Sequence, residues 1–91
     1  MFVVISYDVV DDRRRKRVHD TLKDFGARVQ YSVFECELDA VVLQGLVERL
    51  AAVVDVNEDG VRFYSLCQGD VRKIRVIGRG SVSRNEAFRM I

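Results

Sequence analysis

Residues Phe2 to Val9 read FVVISYDV, and no other stretch limits the fold as much. β-branched and aromatic residues dominate it, which marks a strand. Side chains alternate across a strand. Val3, Ile5, Tyr7 and Val9 therefore stand on one side, and Phe2, Val4, Ser6 and Asp8 on the other. Both sides carry apolar residues. Such a strand belongs inside a sheet that is covered on both faces.

Asp11 and Asp12 are N-cap residue types. They predict a helix with Val18, Leu22 and Phe25 on one face and Gly26 as its C-terminal stop. Arg28 to Leu38 reads as a second strand. Asp39 is placed to cap a second helix whose stripe is Leu43, Leu46, Val47, Leu50 and Val54. Asn57-Glu58-Asp59-Gly60 is a polar turn. Val61 to Cys67 reads as a third strand, Gln68-Gly69-Asp70 as a tight turn and Val71 to Ile77 as a fourth strand. Gly78 to Ser81 looks flexible, and Val82 to Ile91 fits no single element. The elements are assigned to the ferredoxin-like split βαβ plan, an α+β fold of type βαββαβ with an antiparallel sheet. The expected division is one domain over residues 1–78 and a C-terminal extension over 79–91.

In this plan both helices cover the same side of the sheet. The third strand, however, puts Val61 and Phe63 on one side and Tyr64 and Leu66 on the other. The uncovered side needs a cover. A second copy of the chain is the simplest one, which predicts a face-to-face homodimer about a two-fold axis. The competing cover is the chain's own C-terminal tail.

A length of 91 residues suits one domain. The formal net charge is +1, so any affinity for nucleic acid must come from where charge is placed. Cys36 and Cys67 form no CxxC pair and have strand-like neighbours, so both are expected as buried reduced thiols. The apolar start has no basic leader and is too short to span a bilayer. The expectation is a cytoplasmic protein with no membrane partner. No P-loop, GxGxxG, HExxH or EF-hand loop occurs. His19, the one histidine, lies on the first helix without a Ser or Cys arranged beside it, so it is read as a surface residue. Histidine-dependent RNA cleavage is disfavoured.

Asp8 closes the first strand. Two copies brought together by a two-fold axis would set a pair of carboxylates that can hold Mg²⁺ or Mn²⁺ with water. Its competing role is to cap the following loop or helix. Arg13-Arg14-Arg15-Lys16-Arg17 follows Asp11-Asp12 and opens a helix. Cations are disfavoured at that end of a helix, so the run points to phosphate contact. The bland account is a solvated face, with Asp11 paired to Arg15, Asp12 to Lys16, and Asp20 in reach of Lys16 and Arg17. A second basic group comprises Arg72, Lys73, Arg75 and Arg79, then Arg84 and Arg89.

The segments Tyr7-Asp8-Val9-Val10-Asp11-Asp12-Arg13-Arg14-Arg15-Lys16-Arg17-Val18, Arg28-Val29-Gln30-Tyr31-Ser32-Val33-Phe34-Glu35 and Val61-Arg62-Phe63-Tyr64-Ser65-Leu66 resemble the motifs of one family. It is the small CRISPR-associated adaptation endonucleases, the second core family and partner of the CRISPR integrase. The resemblance implies a ferredoxin-like homodimer and a Mg²⁺-dependent endonuclease acting on single-stranded RNA or double-stranded DNA. It puts the metal-binding aspartate at Asp8 and further residues of nuclease activity at Tyr7, Arg15, Arg17, Arg28 and Phe34. It also implies a bridge between integrase dimers that holds duplex DNA during spacer acquisition. Arg13, Arg14, Arg15, Lys16, Arg75 and Arg79 would then contact phosphates, and Val82 to Ile91 would add a strand to the partner subunit's sheet. Two main readings result: a metal-dependent phosphodiesterase using Asp8 from both chains, and a non-catalytic DNA-binding adaptor. An RNA-cleaving toxin of related fold and a small-ligand-binding module are the other readings.

Overall fold

The computed structural model describes residues 1–80 and 82. Its chain runs β1 (Phe2–Asp8), α1 (Asp12–Leu22), β2 (Gly26–Gln30), β3 (Val33–Glu37), α2 (Ala40–Val53), β4 (Gly60–Leu66) and a short α3 (Gln68–Arg72). The four strands form one sheet in the order β2-β3-β1-β4. Every pairing is antiparallel. This is the expected ferredoxin-like βαββαβ architecture, with α3 added after it.

Both long helices start on aspartate. The Asp11 carboxylate accepts from the Arg14 amide at 3.0 Å, and Asp39 accepts from the Val42 amide at 2.8 Å. Each cap satisfies an amide that the helix cannot. Val18 and Leu22 of α1 and Leu46 and Leu50 of α2 are buried against Val3, Ile5 and Tyr7 of β1 and Phe34 and Cys36 of β3. Val61 and Phe63 of β4 pack on the edge of that core. The helices therefore share one face of the sheet, and odd-numbered β1 residues point toward them.

The four strands are not the four read from sequence. Arg28 to Leu38 is a hairpin rather than one strand. Tyr31 and Ser32 make its turn, and the Ser32 carbonyl accepts from the Tyr7 amide at 3.1 Å. A register irregularity between Arg28 and Gln30 bends β2. Val71 to Ile77 is not a strand, and Gln68-Gly69-Asp70 is not a turn between strands; Gln68–Arg72 is helical. Val71 and Ile74 stand three residues apart, which suits a helical turn. The Val71 amide donates to the Cys67 carbonyl at 3.0 Å, and Val71 is buried.

Gly26 does not stop α1 either. The helix ends at Leu22, with Lys23 as its cap. Gly26 instead opens β2 opposite Cys36, where the strands come too close for a side chain. Cys36 is buried as expected, and burial pushes its thiol up to about 11. Cys67 is exposed, contrary to expectation. It lies beyond the last β4 pair, and its thiol sits 3.1 Å from an Asp70 carboxylate oxygen.

The other face of the sheet carries no helix of the two-helix layer. Register places Val4, Ser6 and Asp8 of β1 there, beside Val33 and Glu35 of β3 and Arg62 and Tyr64 of β4. Tyr64 is exposed and Val4 half-buried. The proposed division at residue 78 falls in irregular chain, and Val82 is the one residue of the Val82–Ile91 segment among the described residues. Arg84 and Arg89 lie outside them. No helix of the described residues is long and apolar enough to cross a membrane.

Candidate nucleic-acid and metal site

The residues singled out at the end of β1 divide between the two faces of the sheet. Tyr7 points to the helices and Asp8 to the open face. Asp8 pairs in register with Gly60 at the start of β4. It is exposed, and no hydrogen bond or ion pair holds its carboxylate among the described residues. It caps neither the loop nor α1; Asp11 does that.

On the helix side, Tyr7, Arg15 and Arg28 meet at a pocket of about 230 Å³, closed by Asp12, Lys16, His19 and Tyr31. Burial pushes the Tyr7 phenol above its ordinary range, against the pull of the Arg28 and Arg15 guanidiniums. Tyr7 is therefore neutral near pH 7. Phe34 has no exposed surface and lies beneath the pocket wall. Its ring stands 6.4 Å from that of Tyr7 and meets the His19 ring edge-on at 5.5 Å. Phe34 does not line the pocket and meets it through these two rings. His19 is half-buried rather than a free surface residue.

The five cations of α1 do three different things. Arg14 turns inward. Its Nε donates to Asp59 at 2.8 Å and an Nη2 to Glu58 at 3.2 Å. Arg15 straps the β1–α1 loop, donating to the Val9 and Val10 carbonyls at 3.2 and 3.1 Å and to Asp12 at 2.6 Å. Lys16 pairs with Asp20 at 2.7 Å. The expected Lys16–Asp20 pair forms, whereas Asp12 pairs with Arg15 in place of the expected Asp11–Arg15 and Asp12–Lys16 pairs. Arg13 and Arg17 remain exposed, four residues apart on one helix face, with no side-chain partner among the described residues. Arg75 and Arg79 are exposed as well.

Sequence reasoning passed over Asp59 as part of a polar turn. Its side chain is fully buried. One carboxylate oxygen accepts from the Val10 amide at 3.0 Å, and the other from Arg14 and from the Asp55 amide at 2.9 Å. The Arg14 hydrogen bond, aided by these amides, holds its carboxyl down at about 2 against burial. Asp59 thus ties the loop after Asp8 to the loop before β4. No local pattern marks its ties to Val10 and Arg14, which lie about one half of the chain away.

The sequence matches the family model described as CRISPR associated protein Cas2 over residues 1–74. The chain belongs to the Cas2 family. A Chloroflexus aurantiacus relative named a CRISPR-associated endoribonuclease Cas2 is 42% identical over 91 residues, covering 100% of this chain and 98% of its own. A Thermus thermophilus relative named a CRISPR-associated endonuclease Cas2 is 38% identical, covering 84% of this chain and 80% of its own. Among solved structures, Streptococcus pyogenes Cas2 superposes with a TM-score of 0.77 at 32% identity, over 86% of this chain and 100% of its own. A chain of a partial Cas6-RT-Cas1–Cas2 complex superposes with a TM-score of 0.74 at 26% identity, over 84% of this chain and 83% of its own.

Among the described residues, no three His, Cys, Asp or Glu side chains gather as a metal cluster. At the end of β1 on the open face, the described residues offer one exposed carboxylate, Asp8. That donor suits a hard, largely hydrated ion such as Mg²⁺, which takes one or two carboxylates and keeps several waters. By itself Asp8 makes only part of such a site.

Proposed function

We propose that the chain is a metal-dependent endonuclease of CRISPR spacer acquisition that works as a homodimer, binds duplex DNA and bridges integrase subunits. Family membership over residues 1–74 carries this reading. Nuclease-named relatives of nearly the same length support the activity, and the fold shared with a chain of a Cas1–Cas2 complex supports the integrase partner. The half-apolar open face of the sheet supports a second copy as its cover.

Asp8 from each copy would hold Mg²⁺ or Mn²⁺. When bound, such an ion offsets charge on a phosphate and makes its water more acidic. Arg13 and Arg17 are free to grip phosphates along a strand. Arg75 and Arg79 can extend that contact. Arg14, by contrast, serves the fold, and Arg15 sets the loop that presents Asp8.

The second reading is a non-catalytic adaptor, favoured by the fold match to a chain assembled with Cas1. One substitution separates the two. Wild type and Asp8→Asn are incubated with labelled RNA and duplex DNA in Mg²⁺, Mn²⁺ or EDTA. The nuclease reading expects metal-dependent cleavage that vanishes in Asp8→Asn while duplex binding persists. No difference between the proteins, with duplex bound by both, selects the adaptor. Sedimentation showing monomer alone at micromolar concentration would remove the dimer.

A further inference from the structure

We propose that Asp8 of each copy pairs with Arg62 of the partner subunit when no metal ion is bound, so that two reciprocal ion pairs set how the open faces meet. The open face is not free along its whole length. Among the described residues, Phe2 and Val71 are the two buried apolar residues that stand outside the main core. Phe2 is 4% exposed although it lies on the open face, in register with Leu66. β4 ends at Leu66, and α3 starts at Gln68 and packs back on β4. α3 is therefore the cover over the Phe2 end. A second copy is left the half that runs from Val4 to Asp8, beside the exposed Tyr64.

Charge decides what that half must meet. A two-fold axis near Asp8 brings two carboxylates together, and like charges set against each other weaken an interface. Register puts Asp8 and Glu35 on this half and, among the described strands, one cation, Arg62. Arg28 stands opposite Phe34 and so on the helix side. Arg62 is exposed. Among the described residues its side chain makes one hydrogen bond, from Nη1 to the Tyr64 hydroxyl at 3.4 Å. Most of the donors of its guanidinium remain for another acceptor.

The positions suit a symmetric exchange. Arg62 pairs in register with Ser6, two residues from Asp8 on the same face. The two are diagonal neighbours, whose backbones stand about 7–8 Å apart. A two-fold axis that passes between such neighbours exchanges their positions, laying each over the other in the partner subunit. One contact is thus made twice, and each carboxylate meets a guanidinium. Asp8, which has no partner among the described residues of its own chain, gains one from the second copy. This inference rests on the homodimer reading and names the contact that joins the copies. It is tested in EDTA without cleavage, so it and the nuclease reading can fail separately.

The test is sedimentation equilibrium of the full chain in EDTA, with the dimer dissociation constant as its readout. Wild type should dimerise. Arg62→Gln should weaken the dimer about thirty-fold, the low end of what truncating one partner of an interfacial charge pair costs. Asp8→Arg and Arg62→Asp should each weaken it further, because each sets like charges against each other. The double exchange, Asp8→Arg with Arg62→Asp, should restore the dimer to within a few-fold of wild type, since it reverses both pairs and keeps their match. Both side chains are exposed, and circular dichroism confirms that the variants fold. A dimer as tight as wild type in either single exchange overturns the contact and spares the homodimer. So does a double exchange no tighter than the two singles. Wild type that stays monomeric overturns the homodimer and this contact together.

Discussion

Two glycines give a test of the fold in which one methyl group should act with opposite signs. Gly26 opens β2 and pairs with Cys36 on β3. A Cβ there would press on the Glu35 carbonyl oxygen, lie 2.5 Å from the Cys36 sulfur and lie 2.9 Å from the Cys36 Cα. Two of those three atoms are backbone, and Cys36 is only 2% exposed, so nothing can swing aside. Overpacking typically costs ~1–3 kcal/mol, and a clash with strand backbone belongs at ~3 kcal/mol. Gly45 stands inside α2, and a Cβ there meets nothing within 4 Å. Gly45→Ala should stabilise by ~0.5–1 kcal/mol, because alanine loses less backbone freedom on folding. A domain of this size holds about 5–14 kcal/mol in all. At ~4–8 °C per kcal/mol, Gly26→Ala should melt ~12–24 °C below wild type and Gly45→Ala a few degrees above it. Thermal and urea unfolding followed by circular dichroism read both. Gly26→Ala melting at or above wild type would refute the close β2–β3 approach at this register.

Asp59 should mark the acid limb of stability. Its folded value of about 2 lies below the ordinary 3.8, so its contribution is complete above pH 3.8 and is lost as pH falls through about 2. Asp59→Asn should be less stable at pH 7 and show a flatter acid profile between those limits; an unchanged profile counts against the buried pair with Arg14. Phe34→Ala should cost ~3–5 kcal/mol in urea unfolding, as a fully buried aromatic does, whereas a purely catalytic Phe34 would leave stability untouched. An aromatic disulfide reagent should titrate Cys67 in the native protein and Cys36 only after unfolding; fast reaction of both would contradict the burial of Cys36.

The sequence made the central strand legible because its alternation is local. The same holds for the aspartate caps and for the stripe of α2, whose Leu46 and Leu50 are buried as spaced. What escaped was set by distance or by rival periods. The hairpin inside Arg28 to Leu38 has no Gly, Pro or Asn at its turn, so Tyr31 and Ser32 passed as strand. The segment after Leu66 mixes cations with apolar residues at spacings that fit either period, and burial of Val71 decided for a helix. Gly26 looked like a helix stop because its true reason, contact with β3, lies across the sheet. In the site, the basic run was visible but its division was not. Only the fold shows that Arg14 serves Asp59 while Arg13 and Arg17 face outward.

Tyr7 and Asp8 are joined by a single peptide bond, yet they serve opposite sides of a wall. No loop or domain boundary keeps the pocket's cations away from the exposed carboxylate. The pleat of one strand does so. A slip of β1 by one residue against β3 and β4 would carry every side chain to the wrong side, bringing a carboxylate among the arginines and a phenol onto the open face. The seven antiparallel pairings from Phe2–Leu66 to Asp8–Gly60 therefore act as an address: they hold the sheet together and also decide which chemistry each of its surfaces displays.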